Sequence, residues 1–209
     1  MNLTKKLIVE LILIFFSSLP LTAQSFTIDK NSIGLIENDS IVIGSGFILD
    51  SANQVITSAH VIWNQPKVYF STDGKRYELE VRRIDVINDI AYLKSDSTIC
   101  ETPFKKASIT DVENGKAIVY IGYDWVDTKQ SNQNTIKVHQ SKITAYGKQF
   151  NNGGNANFIE FIGEGKPGYS GGPVLNWNGE ILGSMREAWF RKDLKVGYQT
   201  LINRAFLIN

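Results

Sequence analysis

Ser170 sits in Gly168-Tyr169-Ser170-Gly171-Gly172-Pro173, with one glycine two places before it and two directly after it. Glycine reaches backbone angles closed to other residues and lets a chain approach a ligand closely. A tight turn of this kind can aim the N–H groups of Gly168 and Ser170 at one point, as stabilisation of an oxyanion requires. A serine hydroxyl is a weak nucleophile until a base takes its proton, and the base needs an acid to orient it. The apolar run Val55-Ile56-Thr57-Ser58-Ala59-His60-Val61 carries a histidine, and Asn88-Asp89-Ile90-Ala91-Tyr92-Leu93-Lys94 carries an aspartate at its entry. Together these types supply acyl transfer to a serine.

Chain order separates the ways such a serine can be built. Gly168-Tyr169-Ser170-Gly171-Gly172 also fits the G-x-S-x-G elbow of α/β-hydrolases, whose histidine follows the serine. The chain has two histidines, His60 and His139, and both precede Ser170. A subtilisin-like order would need an aspartate ahead of His60. Asp50 precedes it, but Asp50 closes Gly46-Phe47-Ile48-Leu49 beside Ser51-Ala52-Asn53 and reads as a hairpin turn. The remaining order is histidine, aspartate, serine.

Thr57-Ser58-Ala59-His60, Asn88-Asp89-Ile90-Ala91 and Gly168-Tyr169-Ser170-Gly171-Gly172-Pro173 together resemble the three motifs of trypsin- and chymotrypsin-like serine proteases. The chain looks most like their short, disulfide-free bacterial branch, which includes the Deg-type proteases. The resemblance runs from about Ile33 to the end and leaves no room for the peptide-binding domain that many Deg-type proteases carry. It implies His60 as general base, Asp89 as its orienting acid, Ser170 as nucleophile, and the amides of Gly168 and Ser170 as the oxyanion hole. It implies an all-β fold of two six-stranded antiparallel barrels with the site in the cleft between them. It implies a polypeptide substrate and no cofactor.

Two positions depart from the digestive members of that family. Where those enzymes carry an aspartate just before the serine, to pair with a newly cut N-terminus, this chain has Tyr169. Activity is therefore expected without such a cut. The resemblance implies Glu164 at the base of the specificity pocket, with Arg186 and Ala188 along the pocket wall. A carboxylate there would attract a Lys or Arg side chain. Arg186 or Lys166 would cancel that charge, so both outcomes stay open.

The elements that must position these residues read as strands. Period-two patterns cover Ser40-Ile41-Val42-Ile43, Gly46 to Leu49, Gln54 to Thr57, Lys67 to Phe70, Tyr77 to Val81 and Ile90 to Leu93. A second set covers Lys116 to Gly122, Thr135 to Tyr146, Asn157 to Ile162, Pro173 to Leu175 and Glu180 to Gly183. Thr102 to about Asp111 reads as the connection, and Asn203 to Ile208 as a short closing helix. Many short strands with regular turns argue for barrels or a sandwich. The expected division is 24–106 with His60 and Asp89, and 107–209 with Ser170. His139, in the alternating Lys137-Val138-His139-Gln140, reads as a strand-surface residue.

Residues 1–23 read as an export signal: Lys5 and Lys6, then the apolar Leu7 to Phe16, then Leu21-Thr22-Ala23 before a cut at Ala23/Gln24. The apolar part is shorter than the roughly 20 residues a spanning helix needs, so no membrane anchor is expected after cleavage. The mature chain is then periplasmic or secreted. Removing the segment takes away Lys5, Lys6 and Glu10 and leaves the remaining charges balanced. No basic footprint for nucleic acid results, and Arg82-Arg83 reads as a solvated strand face. Cys100 is the only cysteine, so no intrachain disulfide forms. Two separated histidines and one cysteine give no metal ligand cluster. The rival readings are a catalytically silent, protease-like binding module and an esterase with the same triad.

Overall fold

The computed structural model describes residues 28–124, 135–192 and 199–208. The export signal expected over residues 1–23 lies outside the described residues. Among the described residues, twelve strands form two closed, six-stranded antiparallel barrels.

The first barrel holds β1 (Ile33–Glu37), β2 (Val42–Ile48), β3 (Gln54–Ser58), β4 (Val68–Thr72), β5 (Lys75–Asp85) and β6 (Ile90–Lys94). Their order is β1-β2-β3-β6-β5-β4, and β1 closes the ring against β4. The second holds β7 (Ala117–Asp124), β8 (Thr135–Asn151), β9 (Gly154–Ile162), β10 (Pro173–Asn176), β11 (Ile181–Lys192) and β12 (Gln199–Leu207). Its order is β10-β11-β12-β9-β8-β7, closed by β7 against β10.

Alternation does the sorting. β4 buries Val68, Phe70 and Thr72 and leaves Tyr69 and Ser71 half-buried. Inward side chains such as Ile48, Val55, Phe70 and Leu93 fill the first barrel. Tyr120, Ile143, Phe161 and Leu182 fill the second. A third cluster joins the barrels, packing Ile33, Phe47 and Ile56 of the first with Val119, Ile121 and Leu175 of the second. This shared apolar seam holds the two barrels in one arrangement, because separating them would return those side chains to water.

Three local readings change. The expected helix at Asn203 to Ile208 is instead the end of β12, hydrogen-bonded between β11 and β9. Its residues are buried on both faces, so the run lacks alternation and cannot be told from a buried helix by pattern. The two strands expected over Ser40–Ile43 and Gly46–Leu49 are instead one strand, β2, over Val42–Ile48. The segment Ile33–Glu37, not assigned from its pattern, is β1, nearly all buried.

Candidate active site

His60 is placed by the end of β3. The strand stops at Ser58, and Ala59–Val61 forms one 3-10 turn that carries His60 to the surface. Asp89 is placed by the β5–β6 turn, where it has a positive φ of 53°. Aspartate is among the few non-glycine residues that visit this region. The turn is tied by Asp85, which accepts from the Asn88 N–H at 3.0 Å and the Asn88 side chain at 2.9 Å. Burial alone would push the Asp85 carboxyl up, but these bonds and nearby Arg83 hold it below its ordinary value.

The turn and the strand end then lock together. The Ala59 N–H donates to the Asp89 carbonyl at 2.9 Å. The His60 N–H donates to Asp89 Oδ1 at 2.9 Å, and His60 Nδ1 lies 2.7 Å from Asp89 Oδ2. Asp89 is 6% exposed, so its carboxylate meets these donors out of bulk water. With Nδ1–H committed to the carboxylate, Nε2 keeps its lone pair and can accept a proton.

Ser170 enters from the other barrel, in the turn before β10. Gly168 and Gly171 have positive φ values of 98° and 85°. Gly171 is also pressed against the first barrel: an added Cβ would lie 2.2 Å from both the Ser45 carbonyl and Thr57 Oγ1. That contact seats the residue after Ser170 on β2 and on β3, the strand that leads into the turn of His60. The Ser170 hydroxyl donates to the Arg186 carbonyl at 3.2 Å. Among the described residues, the amides of Gly168 and Ser170 donate to no protein acceptor.

Residues that the motifs did not single out hold this turn. Ser45 in β2 donates through Oγ to the Gly168 carbonyl at 2.5 Å and through its N–H to the Ser170 carbonyl at 2.8 Å. Ser58 donates to the Met185 carbonyl at 2.9 Å. Thr57 and Ser58 stood inside the histidine motif, but nothing in its spacing tells that Thr57 donates to the Ser45 carbonyl at 2.7 Å or that Ser58 reaches β11 of the other barrel.

The expected pocket residues separate. Arg186 and Ala188 line the cleft beside Ser170, with Met185 and Lys166. Glu164 is exposed and pairs with Lys166 at 3.5 Å. The Arg186 guanidinium goes elsewhere, with Nε 3.6 Å from Asp89 Oδ2. His139 is not a plain strand-surface residue. Its ring stacks on Tyr120 at 4.8 Å, and its Nε2 lies 2.8 Å from the hydroxyl of buried Tyr169. Burial holds its pKa below the ordinary histidine value.

A trypsin-like peptidase domain model matches residues 44–183. The protein HhoB of Synechocystis is 32% identical over 146 residues, covering 67% of this chain and 33% of its own. Human serine protease HTRA4 is 27% identical over 141 residues, covering 67% and 29%. This chain spans about a third of the length of such relatives. Among solved structures, the active form of the Rv3671c protease of M. tuberculosis superposes with a TM-score of 0.65 at 20% identity, covering 83% of this chain and 76% of that one. The HtrA-type protease AlgW with a decapeptide superposes with a TM-score of 0.66 at 16% identity, covering 85% and 61%. At those identities the likeness is one of fold.

Proposed function

The chain belongs to the trypsin-like peptidase family, and from that premise we propose that it is an exported serine endopeptidase. Residues 24–106 and 107–209 are its two barrel domains, and the segment 1–23 is removed after Ala23. Asp89 orients the His60 ring, and His60 takes the Ser170 proton as Oγ attacks a peptide carbonyl carbon. The negative charge that develops on the carbonyl oxygen is met by the amides of Gly168 and Ser170. His60 then returns the proton to the leaving amine. Water, deprotonated by the same ring, hydrolyses the acyl-enzyme and restores Ser170.

The observation that carries this reading is the double hold of Asp89 on His60, at the ring and at the backbone. A buried aspartate that merely capped a turn would have no need to fix the tautomer of an exposed histidine. The unengaged amides of Gly168 and Ser170 support it further, since an oxyanion site must present free donors.

A silent, protease-like binding module is the second reading, favoured by the Ser170 hydroxyl resting on the Arg186 carbonyl. Catalytic hydrogen bonds are often unformed before substrate arrives, so the endopeptidase stands first. Fluorophosphonate labelling of the purified chain, beside Ser170→Ala and His60→Ala, tests both. Labelling of the parent that both substitutions abolish is the expected result; a folded parent that never labels overturns the endopeptidase reading. Cleavage of a protein substrate, set against hydrolysis of a simple ester, separates the peptidase from an esterase with the same triad.

A further inference from the structure

Arg186 touches both ends of the candidate triad. Its Nε lies 3.6 Å from Asp89 Oδ2, the oxygen that also takes the His60 ring at 2.7 Å. Its carbonyl takes the Ser170 hydroxyl at 3.2 Å. β11 bulges between Met185 and Glu187, which drops Arg186 out of the ladder with β12 and leaves its carbonyl for Ser170.

The guanidinium is held there by charge. It packs over the Phe206 ring at 4.8 Å, and its side chain is 24% exposed. Its Nη1 is buried with no hydrogen-bond partner among the described residues. The adjacent carboxylate, Glu187, is engaged with Arg204 at 3.2 Å, and the exposed Glu164 pairs with Lys166 at 3.5 Å. Among the described residues, Asp89 is the anion that Arg186 faces.

The consequence follows from the mechanism. When His60 takes the Ser170 proton it becomes an imidazolium, and Asp89 must stabilise that charge. A carboxylate already shared with a guanidinium has less to offer, because the two cations compete for one oxygen and repel each other. Resting on the endopeptidase reading, we propose that Arg186 is a positioning residue that restrains this triad, its side chain drawing on Asp89 while its carbonyl holds the Ser170 hydroxyl away from His60.

The test is the saturation kinetics of fluorophosphonate labelling in the parent chain, Arg186→Met and Arg186→Lys. Removing the charge is expected to raise the maximal labelling rate about three- to tenfold. Arg186→Lys keeps a cation but loses the planar guanidinium that lies over Phe206, and is expected to gain clearly less than Arg186→Met. The maximal rate, rather than the half-saturating probe concentration, is the readout, because Arg186 also lines the cleft that the probe enters. A Met variant that labels no faster, or a Lys variant that speeds up as much as Met, overturns the restraint while leaving the endopeptidase reading intact. Arg186→Gln carries the test if the Met variant lacks a cooperative melting transition. If neither neutral variant folds, Arg186 is a structural residue and the restraint is overturned. Absence of labelling in the folded parent and in both neutral variants overturns the endopeptidase reading, and the restraint with it.

Discussion

The Ser45 hydroxyl of the first barrel donates to the Gly168 carbonyl of the second at 2.5 Å, and the Ser45 N–H donates to the Ser170 carbonyl at 2.8 Å. One residue of β2 therefore fixes the backbone on both sides of Tyr169. The Tyr123 N–H in turn donates to Ser45 Oγ at 3.1 Å, which completes a link from β2 through β7 to the serine turn.

Ser45→Ala removes the side-chain bonds and keeps the backbone one. The expected cost in stability is about 1–2 kcal/mol, that of a buried hydrogen-bonded hydroxyl. The expected loss in labelling rate is larger, about tenfold to a hundredfold, because small displacements of a catalytic turn are costly. Thermal melting and fluorophosphonate kinetics on the same sample check both; a loss in melting temperature with full labelling would make Ser45 a purely structural residue.

Asp89→Asn keeps the shape of the β5–β6 turn and removes the charge. An amide facing Nδ1 favours the wrong tautomer of His60, so labelling of Ser170 should fall by about 10⁴-fold. Circular dichroism should show a retained β fold. Labelling within tenfold of the parent would remove Asp89 from the triad.

Gly171→Ala places a methyl group 2.2 Å from the Ser45 carbonyl and from Thr57 Oγ1, at a φ of 85°. Strain and overpacking together should cost roughly 3 kcal/mol. Denaturant unfolding measures it; a change below about 1 kcal/mol would mean that the seam between the barrels gives way more easily than its contacts suggest.

His139 contributes a pH-dependent part of the stability. Its folded pKa is lowered, by burial first, with Glu164 opposing and Lys166 and Lys137 adding to the shift. Below the ordinary value of 6.5 the unfolded chain takes up a proton that the folded chain refuses. This share of the stability is complete above that value and is lost as pH falls through the folded one. His139→Gln should flatten the decline of melting temperature between about pH 7 and pH 5. An unchanged slope would show that His139 does not carry it.

Much of this molecule is legible in its residues. The period-two patterning argued for barrels or a sandwich, because alternation is a local property of the chain, and the motifs around His60, Asp89 and Ser170 carried the resemblance that implied the double barrel. β12 escaped that reading because Ile202, Asn203, Ala205, Phe206 and Leu207 are buried without alternation. His139 escaped it because alternation tells which face of a strand a residue takes, not what covers that face. Here it is Tyr169, from the serine turn.

The sequence by itself determined which residue types are available for acyl transfer and that strands must present them. It did so because motif composition and side-chain alternation depend on neighbours a few positions apart. Only the tertiary structure decided what stands around Asp89 and Gly168. Arg186 and Ser45 reach them from other strands, across a bulge in β11 and a seam between two barrels. Register and barrel closure set those contacts, and both are settled by packing over the whole chain rather than by any segment of it.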